Sequence, residues 1–437
     1  MIDRQFFRIL SSIHWFRPLH SNCYHMTRVL RKRKVVSSKI ESATIDNDPV
    51  VRSKYFKKPK IEETDEVKVE ITENPVDIEW VKSLNNKEYF EWWAESTGNV
   101  PNRWEIPLDE SIFTDDQPKY FKEIYLKLRR LRSKVTPPVD LVGGSSIPLT
   151  VGMSCGIPKD QIEPINYRLQ VLIGVMLSSQ TKDEVTAKGM FNIMKYCIDE
   201  LNISQGMTLQ GLRKIDEAKL DELIKSVGFH TRKAKYIKQT CELLVSRFDS
   251  DIPTNITDML SLPGVGPKMA YLTLQKAWGK LEGICVDVHV DRLCKLFKWV
   301  NPDKCKTPNH TRQELEKWLP RPLWKEINSL LVGFGQMIDR PKLKLIDPEA
   351  PTYERGTLEH ELRELMDNMK NYKIWVNYLI RNAKATLDAR EQETSIVTVK
   401  TENGGLVTIK NEFDLKTESL PKHVFKKDGH FAKIEGS

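Results

Sequence analysis

The chain has 437 residues, of which 68 are lysine or arginine, 60 are aspartate or glutamate and 40% are hydrophobic. This composition is typical of a globular protein. No run approaches the ~18 consecutive apolar residues that a membrane-spanning helix needs, and the 21 glycines and 23 prolines are too few for a collagen-like or wholly disordered chain. A membrane channel and a fibrous rod are therefore excluded, and we expect no membrane partner.

Positive charge is concentrated at the start of the chain, where residues 1–60 hold 14 basic and 4 acidic side chains. The first 39 residues mix arginines with bulky apolar residues, as mitochondrial transit peptides do. The basic clusters at 31–34 and 57–60 resemble nuclear import signals, and Met26 offers a second start between the two kinds of signal. We therefore expect 1–60 to be a disordered targeting arm that import receptors direct to the mitochondrion and the nucleus. The alternative is a disordered basic arm that only adds affinity for DNA.

The next segment, 61–117, is predicted to be a partly ordered N-terminal extension. Its second half is rich in aromatic residues, with Trp80, Trp92, Trp93 and Trp104 among them. Such large side chains favour burial, but the sequence assigns this segment no chemistry.

The seven cysteines include no CxxC pair. An odd number without close pairing favours reduced, intracellular thiols that pack as small apolar side chains. We predict no metal site from them.

Between roughly 118 and 387 the apolar residues recur at helical spacing, and strand-like alternation is scarce, so the predicted fold is all-α. Tyr167–Leu177 is apolar on nearly every side, which predicts a central buried helix. Residues 161–345 hold 28 basic and 21 acidic side chains. This excess suits contact with a polyanion, although a solvated lysine-rich surface explains it equally well.

The most specific local pattern is Leu262-Pro-Gly-Val-Gly-Pro-Lys-Met-Ala270. Gly264 and Gly266 permit a tight turn between two helices, and Pro267 suits the first helical position, where no N–H is needed. The free amides at such a helix start bind phosphate without sequence preference. The pattern predicts a helix-hairpin-helix, with a plain antiparallel helix pair as the alternative.

Lys268 lies in the first turn of the second helix of this hairpin. The positive end of the helix dipole favours the neutral amine there, which is the nucleophilic form. Further along, Asp287 and His289 open another helix after the apolar Ile284-Cys-Val286. A carboxylate near the amine accepts its proton or stabilises a developing sugar cation. The alternative role for Asp287 is that of a helix N-cap.

These two motifs, together with Leu177-Ser-Ser-Gln-Thr-Lys-Asp183, resemble those of the endonuclease III family of helix-hairpin-helix DNA glycosylases, and most closely its fungal members. The resemblance runs from about 161 to 336. It implies an all-α fold in which a six-helix subdomain (161–285) and a discontinuous helical subdomain (118–160 and 286–387) enclose a DNA-binding cleft.

The resemblance also implies an activity, that of a bifunctional glycosylase and abasic-site lyase that removes oxidised pyrimidines, with formamidopyrimidines as a further substrate class. Lys268 would attack C1′ of a flipped nucleotide to give a Schiff base, Asp287 would assist, and β-elimination would cut the strand 3′ to the lesion. Gln180 would enter the duplex at the vacated position, and Phe229 or His230 would be a wedge on the opposite strand. The implied contacts to damaged double-stranded DNA are Gln180, Phe229, His230, Gly264, Gly266 and His289.

Two other functions remain open at this stage. One is a non-enzymatic helix-hairpin-helix DNA-binding protein, in which Lys268 would be dispensable. The other is a glycosylase for alkylated purines or mismatched adenine. Borohydride trapping discriminates among them, because only an enzyme that forms a Schiff base becomes covalently linked to DNA.

The chain departs from most of the family in one respect. Most members hold a [4Fe–4S] cluster with four cysteines after the region that corresponds to Gly333-Phe-Gly335, but residues 306–437 contain no cysteine. The thiolate ligands of a cluster are thus missing. We expect no cofactor, and the purified protein should lack the visible absorption of an iron–sulfur protein.

From 388 to 437 the chain is rich in Thr, Glu, Lys and Ser, which predicts a disordered tail. A hydrophobic-Lys-x-Glu pattern occurs around Lys400, Lys410 and Lys416, and once more around Lys68. It resembles the attachment site of small ubiquitin-like modifiers, although a tail rich in Lys and Glu also produces it by chance. We hypothesise that these four lysines are conjugated.

Changing these four lysines to arginine preserves charge and removes the acceptor amines. The fraction of the protein conjugated to the modifier in cells should then fall, as measured by immunoblot of the purified protein. An unchanged modified fraction would exclude these sites.

Overall fold

A computed structural model describes residues 76–339, Thr357, His360, the helix Tyr372–Thr394 and four short strands in the tail. Most of its residues lie in helices, and the all-α prediction is confirmed for 76–339. The predicted targeting arm 1–60 lies outside the described residues, as do Lys68, Lys410 and Lys416.

The helices follow one another with short connections. Their bounds are α1 Ile78–Ser83, α2 Asn86–Ser96, α3 Phe121–Arg132, α4 Pro138–Val142, α5 Ile147–Ser154, α6 Pro164–Ser178, α7 Asp183–Asp199, α8 Leu209–Lys214, α9 Glu217–Leu223, α10 His230–Arg247, α11 Ile256–Ser261, α12 Pro267–Trp278, α13 Val288–Leu296, α14 Pro308–Trp318, α15 Ile327–Asp339 and α16 Tyr372–Thr394. Short 3-10 turns occupy Glu110–Ile112, Lys159–Gln161 and Arg321–Lys325. None of the described helices is long and apolar enough to cross a membrane.

The first core surrounds α6, which is buried along almost its whole length between α5, α7 and α12. This confirms the central buried helix that the sequence predicts. The helix nevertheless carries Arg168, whose guanidinium donates to both carboxylate oxygens of Asp251 and lies 4.3 Å from the ring centre of Trp278. The charge inside the core is thus paired and stacked, which offsets much of its desolvation cost.

The second core joins two distant parts of the chain. Side chains from Trp104 to Val135 pack with side chains from Leu281 to Ile338 and from α16. Phe121, for example, meets Trp299 edge to face with ring centres 4.9 Å apart. Helical segments that are distant in the sequence therefore share one hydrophobic core.

The first segment of the predicted discontinuous subdomain ends earlier than expected. The sequence predicts that this segment covers 118–160, but α5 packs on α6 and α7. Within the first core, Gly152 closely approaches Ile162 and Gly174 closely approaches Ile147. The division between the subdomains thus precedes α5, because α5 buries its apolar residues against the central helix.

The described part of the N-terminal extension is folded onto the end of α12. The hydroxyl of Tyr89 donates to the carbonyl of Ala277 at 2.8 Å, and the indole N–H of Trp93 donates to the carbonyl of Lys276 at 2.9 Å. Both rings also pack edge to face on Tyr167 of α6. Backbone carbonyls at a helix end have no partner within the helix, so the extension satisfies two of them.

The tail differs from the predicted disorder. Helix α16 continues to Thr394, and the antiparallel strands β1 Val397–Thr401, β2 Leu406–Ile409, β3 His423–Phe425 and β4 Phe431–Lys433 form a sheet in the order β2-β1-β3-β4. Lys400 therefore lies in a central strand, opposite Leu406 and Phe425. Its backbone is therefore paired, and not disordered as the modification hypothesis assumed.

Tyr89→Phe tests the extension's hold on α12. The change removes one hydrogen bond and leaves a buried carbonyl unpaired, so the free energy of unfolding should fall by about 1–2 kcal/mol. Urea denaturation measures it, with Tyr196→Phe, on the outer side of α7, as the matched control. Equal stability of both variants would show that the bond contributes nothing.

Candidate active site

The hairpin between α11 and α12 has the geometry that its sequence predicts. Gly264 adopts φ +74°, and a Cβ there would lie 2.3 Å from the ring of Tyr236, so glycine is required. Gly266 is the N-cap of α12, and no neighbouring atom lies within 4 Å of where its Cβ would be. Pro267 follows as the first helical residue. The backbone at Gly266 thus leaves room for a ligand to approach, and the free amides of such a helix start can bind a phosphate.

Asp287 caps the helix that follows. Its carboxylate accepts the backbone N–H groups of His289 at 3.0 Å and Val290 at 2.9 Å. Two residues before Asp287, Cys285 is held by Asn328, which donates to its carbonyl at 3.0 Å. The N-cap role is therefore real, and it fixes the direction of the carboxylate.

Lys268 and Asp287 line one cleft, which we call the active-site cleft. The capping role and a chemical role for Asp287 are thus compatible, because a capping carboxylate retains lone pairs for a second partner. The other polar residues that line this cleft are Ser178, Ser179, Gln180, Thr181, Lys182, Asp183, His289, Gln336 and Asp339.

Asp183 is a second carboxyl group in the cleft. It ends the motif that begins at Leu177, and the sequence alone assigns it no role. Burial raises its pKa to about 6, and the charges of Glu184 and Asp287 act in the same direction. Two neighbours act in the opposite direction and lower the pKa of Asp183. The amide of Gln336 donates to its carboxylate at 2.7 Å, and Lys268 acts through its positive charge. Asp183 can therefore exchange a proton near neutral pH.

The Gln180 loop and the Phe229 loop are tied together on the cleft side of the molecule. Gln180 and Phe229 both adopt positive φ, +52° and +58°, and both side chains are exposed, Phe229 to 57%. The N–H of Gly228 donates to Thr181 at 3.1 Å. Positive φ is uncommon for such residues, so contacts elsewhere must hold both turns in shape.

Lys233 supplies those contacts from inside the fold. Its ammonium donates to the carbonyls of Leu177 and Ser179, both at 2.7 Å, and to the hydroxyl of Thr181 at 3.2 Å. Burial and the charge of Lys268 lower the pKa of Lys233 to about 8. It is a positioning residue that sequence inspection missed, since a lysine in a basic helix is usually solvated.

The two histidines predicted to contact DNA occupy different settings. His230 pairs with Asp221 away from the residues that line the cleft. His289 does line the cleft, but it packs so closely on Gly335 that a Cβ there would lie 2.4 Å from its ring. Burial lowers the pKa of His289 despite the nearby Asp287, so the neutral imidazole is favoured.

Comparison with known proteins places the chain in a family. Residues 173–321 match the family model described as HhH-GPD superfamily base excision DNA repair protein. The chain is 51% identical over 413 residues to endonuclease III homolog 1 of Saccharomyces cerevisiae, a match that covers 90% of this chain and 98% of the yeast protein. It belongs to the endonuclease III family.

Two further proteins are similar to this chain. Endonuclease III homolog 2 of S. cerevisiae is 48% identical, over 79% of this chain and 94% of that protein. A solved structure of a trapped endonuclease III–DNA covalent intermediate has 25% identity and a TM-score of 0.33, over 37% of this chain and 71% of that one. As an endonuclease III homologue, the chain is a DNA glycosylase of base excision repair.

The cleft of this endonuclease III homologue brings together only some of the predicted contacts. Lys268, Asp287, Gln180 and His289 share it. The glycines of the hairpin and the Phe229 turn lie outside the residues that line it. Within the described residues, no group of three or more His, Cys, Asp or Glu side chains is arranged to hold a metal ion.

Lys233→Met should loosen the Gln180 loop, because three hydrogen bonds from a charged donor are lost. We expect affinity for lesion-containing duplex to fall about tenfold, with undamaged duplex bound as before, as measured by fluorescence anisotropy. Lys235→Met, an exposed neighbour on α10, is the control. Retention of full lesion selectivity by Lys233→Met would contradict the positioning role.

Asp183→Asn should stabilise the protein in a pH-dependent way. The folded-state pKa of about 6 exceeds the ordinary aspartate value of 3.8, so ionisation lowers the stability of the native state as pH rises between these two values. The variant should match wild type near pH 4 and exceed it by at most about 3 kcal/mol above pH 7. Urea unfolding at both pH values measures this, with the exposed Asp199→Asn as control. A difference independent of pH would contradict it.

Proposed function

We propose that this glycosylase is bifunctional, removing oxidised pyrimidines, and formamidopyrimidines as a further class, through a Schiff base on Lys268 and then cleaving 3′ to the abasic site. The observation that supports this most directly is that Lys268, at the start of the hairpin helix, shares one cleft with Asp287. An amine nucleophile, unlike an activated water, leaves an iminium that also permits strand cleavage.

The reaction begins with extrusion of the damaged nucleotide, because a stacked base hides its glycosidic bond. Extrusion costs a few kcal/mol and is cheapest for a damaged, poorly stacked base. Gln180 and the exposed ring of Phe229, both on the fixed turns that Lys233 supports, are the side chains that would fill the gap and separate the strands. Hairpin amides at Gly264 and Gly266 would hold a backbone phosphate meanwhile.

The first bond changes then occur at C1′ of the extruded nucleotide. The neutral amine of Lys268 bonds to C1′ as the bond from C1′ to the base breaks, and the base leaves with a proton. Loss of an amine proton and ring opening gives the iminium. That iminium acidifies the C2′ proton, whose removal expels the 3′ phosphate, and hydrolysis of the iminium frees Lys268.

The two carboxyl groups divide the proton transfers. Asp287, with its direction fixed by two backbone amides, stabilises positive charge on the sugar and accepts a proton from Lys268. Asp183, whose pKa is about 6, is present in both forms near neutral pH and so can donate a proton to the leaving base. Two carboxyl groups in unlike environments suit two roles.

The alternative to Lys268 chemistry is a protein whose hairpin binds DNA without a covalent step, and membership of a glycosylase family argues against it. Its support is the hairpin, which binds phosphate with no need of an amine. The distinction therefore depends on Lys268, and on whether a covalent complex forms.

Lys268→Gln should abolish borohydride-trapped complex with lesion duplex and slow strand cleavage by roughly 10³-fold or more, because the nucleophile is lost. Affinity for the same duplex should stay within about threefold, since the hairpin amides remain. Lys188→Gln, an exposed lysine of α7, is the control. A trapped complex that forms at the wild-type rate would assign the chemistry to another amine.

We further propose that the enzyme works without a cofactor, since no cysteine follows residue 305, and that it acts in the nucleus and the mitochondrion. The composition of residues 1–60 supports the two addresses. Conjugation of Lys68, Lys400, Lys410 and Lys416 would act on the nuclear pool alone. Iron analysis of the pure protein, and imaging of the chain with and without 1–25, test the first two proposals.

A further inference from the structure

A second cavity continues inward from the active-site cleft along α12. It contains Lys268 and Asp287 at one end and Lys276 at the other. Lys268, Leu272 and Lys276 are spaced by four residues, so they lie on one face of the helix, and about 12 Å of helix separates the two lysines. The other residues that line this inner cavity are Asn99, Arg103, Val139, Gly143, Gly144, Ser145, Ser146, Ser178, Asp183, Asn328, Ser329 and Val332.

The N-terminal extension forms part of the inner cavity's wall. Asn99 donates to the hydroxyl of Ser145 at 2.6 Å and accepts from the guanidinium of Arg103 at 3.1 Å. Arg103 also pairs with Asp140 at 2.9 Å. These bonds hold the side chains in place before any ligand binds, which lowers the entropy cost of recognition.

Lys276 is unusual among the residues that line the inner cavity because it is a buried lysine. It is 4% exposed, and its ammonium donates to the carbonyl of Thr97 at 3.0 Å. Within the described residues it has no carboxylate partner, so two of its three N–H donors are left for another acceptor. A buried lysine whose N–H donors lack acceptors destabilises the fold. A bound ligand that accepted from those donors would offset this cost.

Burial and the charge of Arg103 lower the pKa of Lys276 to about 7. Either protonation state keeps N–H donors, so its capacity to donate survives across the neutral range. The inner end of the cavity thus offers donors from Lys276, Asn99 and the Ser145 region.

We propose that Asn99, Arg103 and Lys276 form the floor that receives the extruded base, and that they select bases rich in carbonyl oxygens. The inference rests on the proposed function, because it takes the sugar to be at Lys268. Lys276 donates to a base carbonyl, Asn99 donates its amide or accepts a ring N–H, and Arg103 holds Asn99 in place. Oxidised pyrimidines and ring-opened purines present such carbonyls. The aromatic-rich extension is then part of the substrate site.

The test separates recognition of the base from chemistry at the sugar. Lys276→Met keeps length and burial but removes the donors. Single-turnover excision of 5,6-dihydrothymine from a duplex should slow about 10- to 100-fold, the loss of one or two hydrogen bonds to a charged donor. Cleavage of a preformed abasic site, which carries no base, should stay within about twofold of wild type.

Matched variants guard against a merely structural effect. Lys280→Met removes a lysine at the same helix end that also donates to a backbone carbonyl, that of Thr254, but lies outside the inner cavity, so both rates should be unchanged. Asn99→Ala should reproduce the selective loss with a smaller fold-change, and it decides the matter alone if Lys276→Met fails to fold.

Two outcomes would overturn the proposal. Unchanged excision in Lys276→Met and Asn99→Ala would show that the floor does not touch the base, and an equal loss of excision and abasic-site cleavage would show that these residues only support Lys268. Failure of the proposed function is distinguishable, because wild type itself would then not cleave the abasic site or form a trapped complex.

Discussion

The far end of α12 is held by side chains that lie almost two hundred residues upstream. Tyr89 and Trp93 donate to the carbonyls of Ala277 and Lys276, which the helix itself cannot satisfy. The near end of the same helix carries Lys268 and the hairpin amides. A helix is stiff over three turns, so fixing its last carbonyls against the buried α6 also fixes where its first amides and its amine point. The active-site cleft, the hairpin and the inner cavity all depend on that orientation.

A glutamine joins the two cores at the other side of the cleft. The side chain of Gln336, on α15, accepts the N–H of Val139 at 2.9 Å and donates to Asp183 at 2.7 Å. One buried amide therefore sets the start of α4 and the start of α7 relative to α15. Because Asp287 is held near α15 through Asn328 and Cys285, the two carboxyl groups keep a fixed relation to one another. Such preorganisation is what electrostatic catalysis requires.

The parts of the site that the sequence predicts are those whose geometry is local. A turn of Gly264 and Gly266 before Pro267 determines its own shape, and Asp287 caps the helix that it begins. The remainder depends on contacts between distant segments. Lys276 is buried where it donates to the carbonyl of Thr97 and its own carbonyl accepts from Trp93, whereas an isolated lysine in a helix is ordinarily solvated. The tail strands were missed for a different reason, since alternation in segments as short as Val397-Thr-Val-Lys-Thr401 is hard to tell from composition.

The second core also constrains how the protein can be made. Phe121 of α3 packs on Trp299, and Phe334 packs on Trp375, so α3 lacks these later partners until about 180 further residues have been synthesised. At 5–20 residues per second this lasts ~10–40 s. The first core becomes complete in sequence only near the end of that interval, because α12, which packs on α6, ends at Trp278. The two cores thus become complete in a fixed order on the nascent chain, the first at α12 and the second at α16.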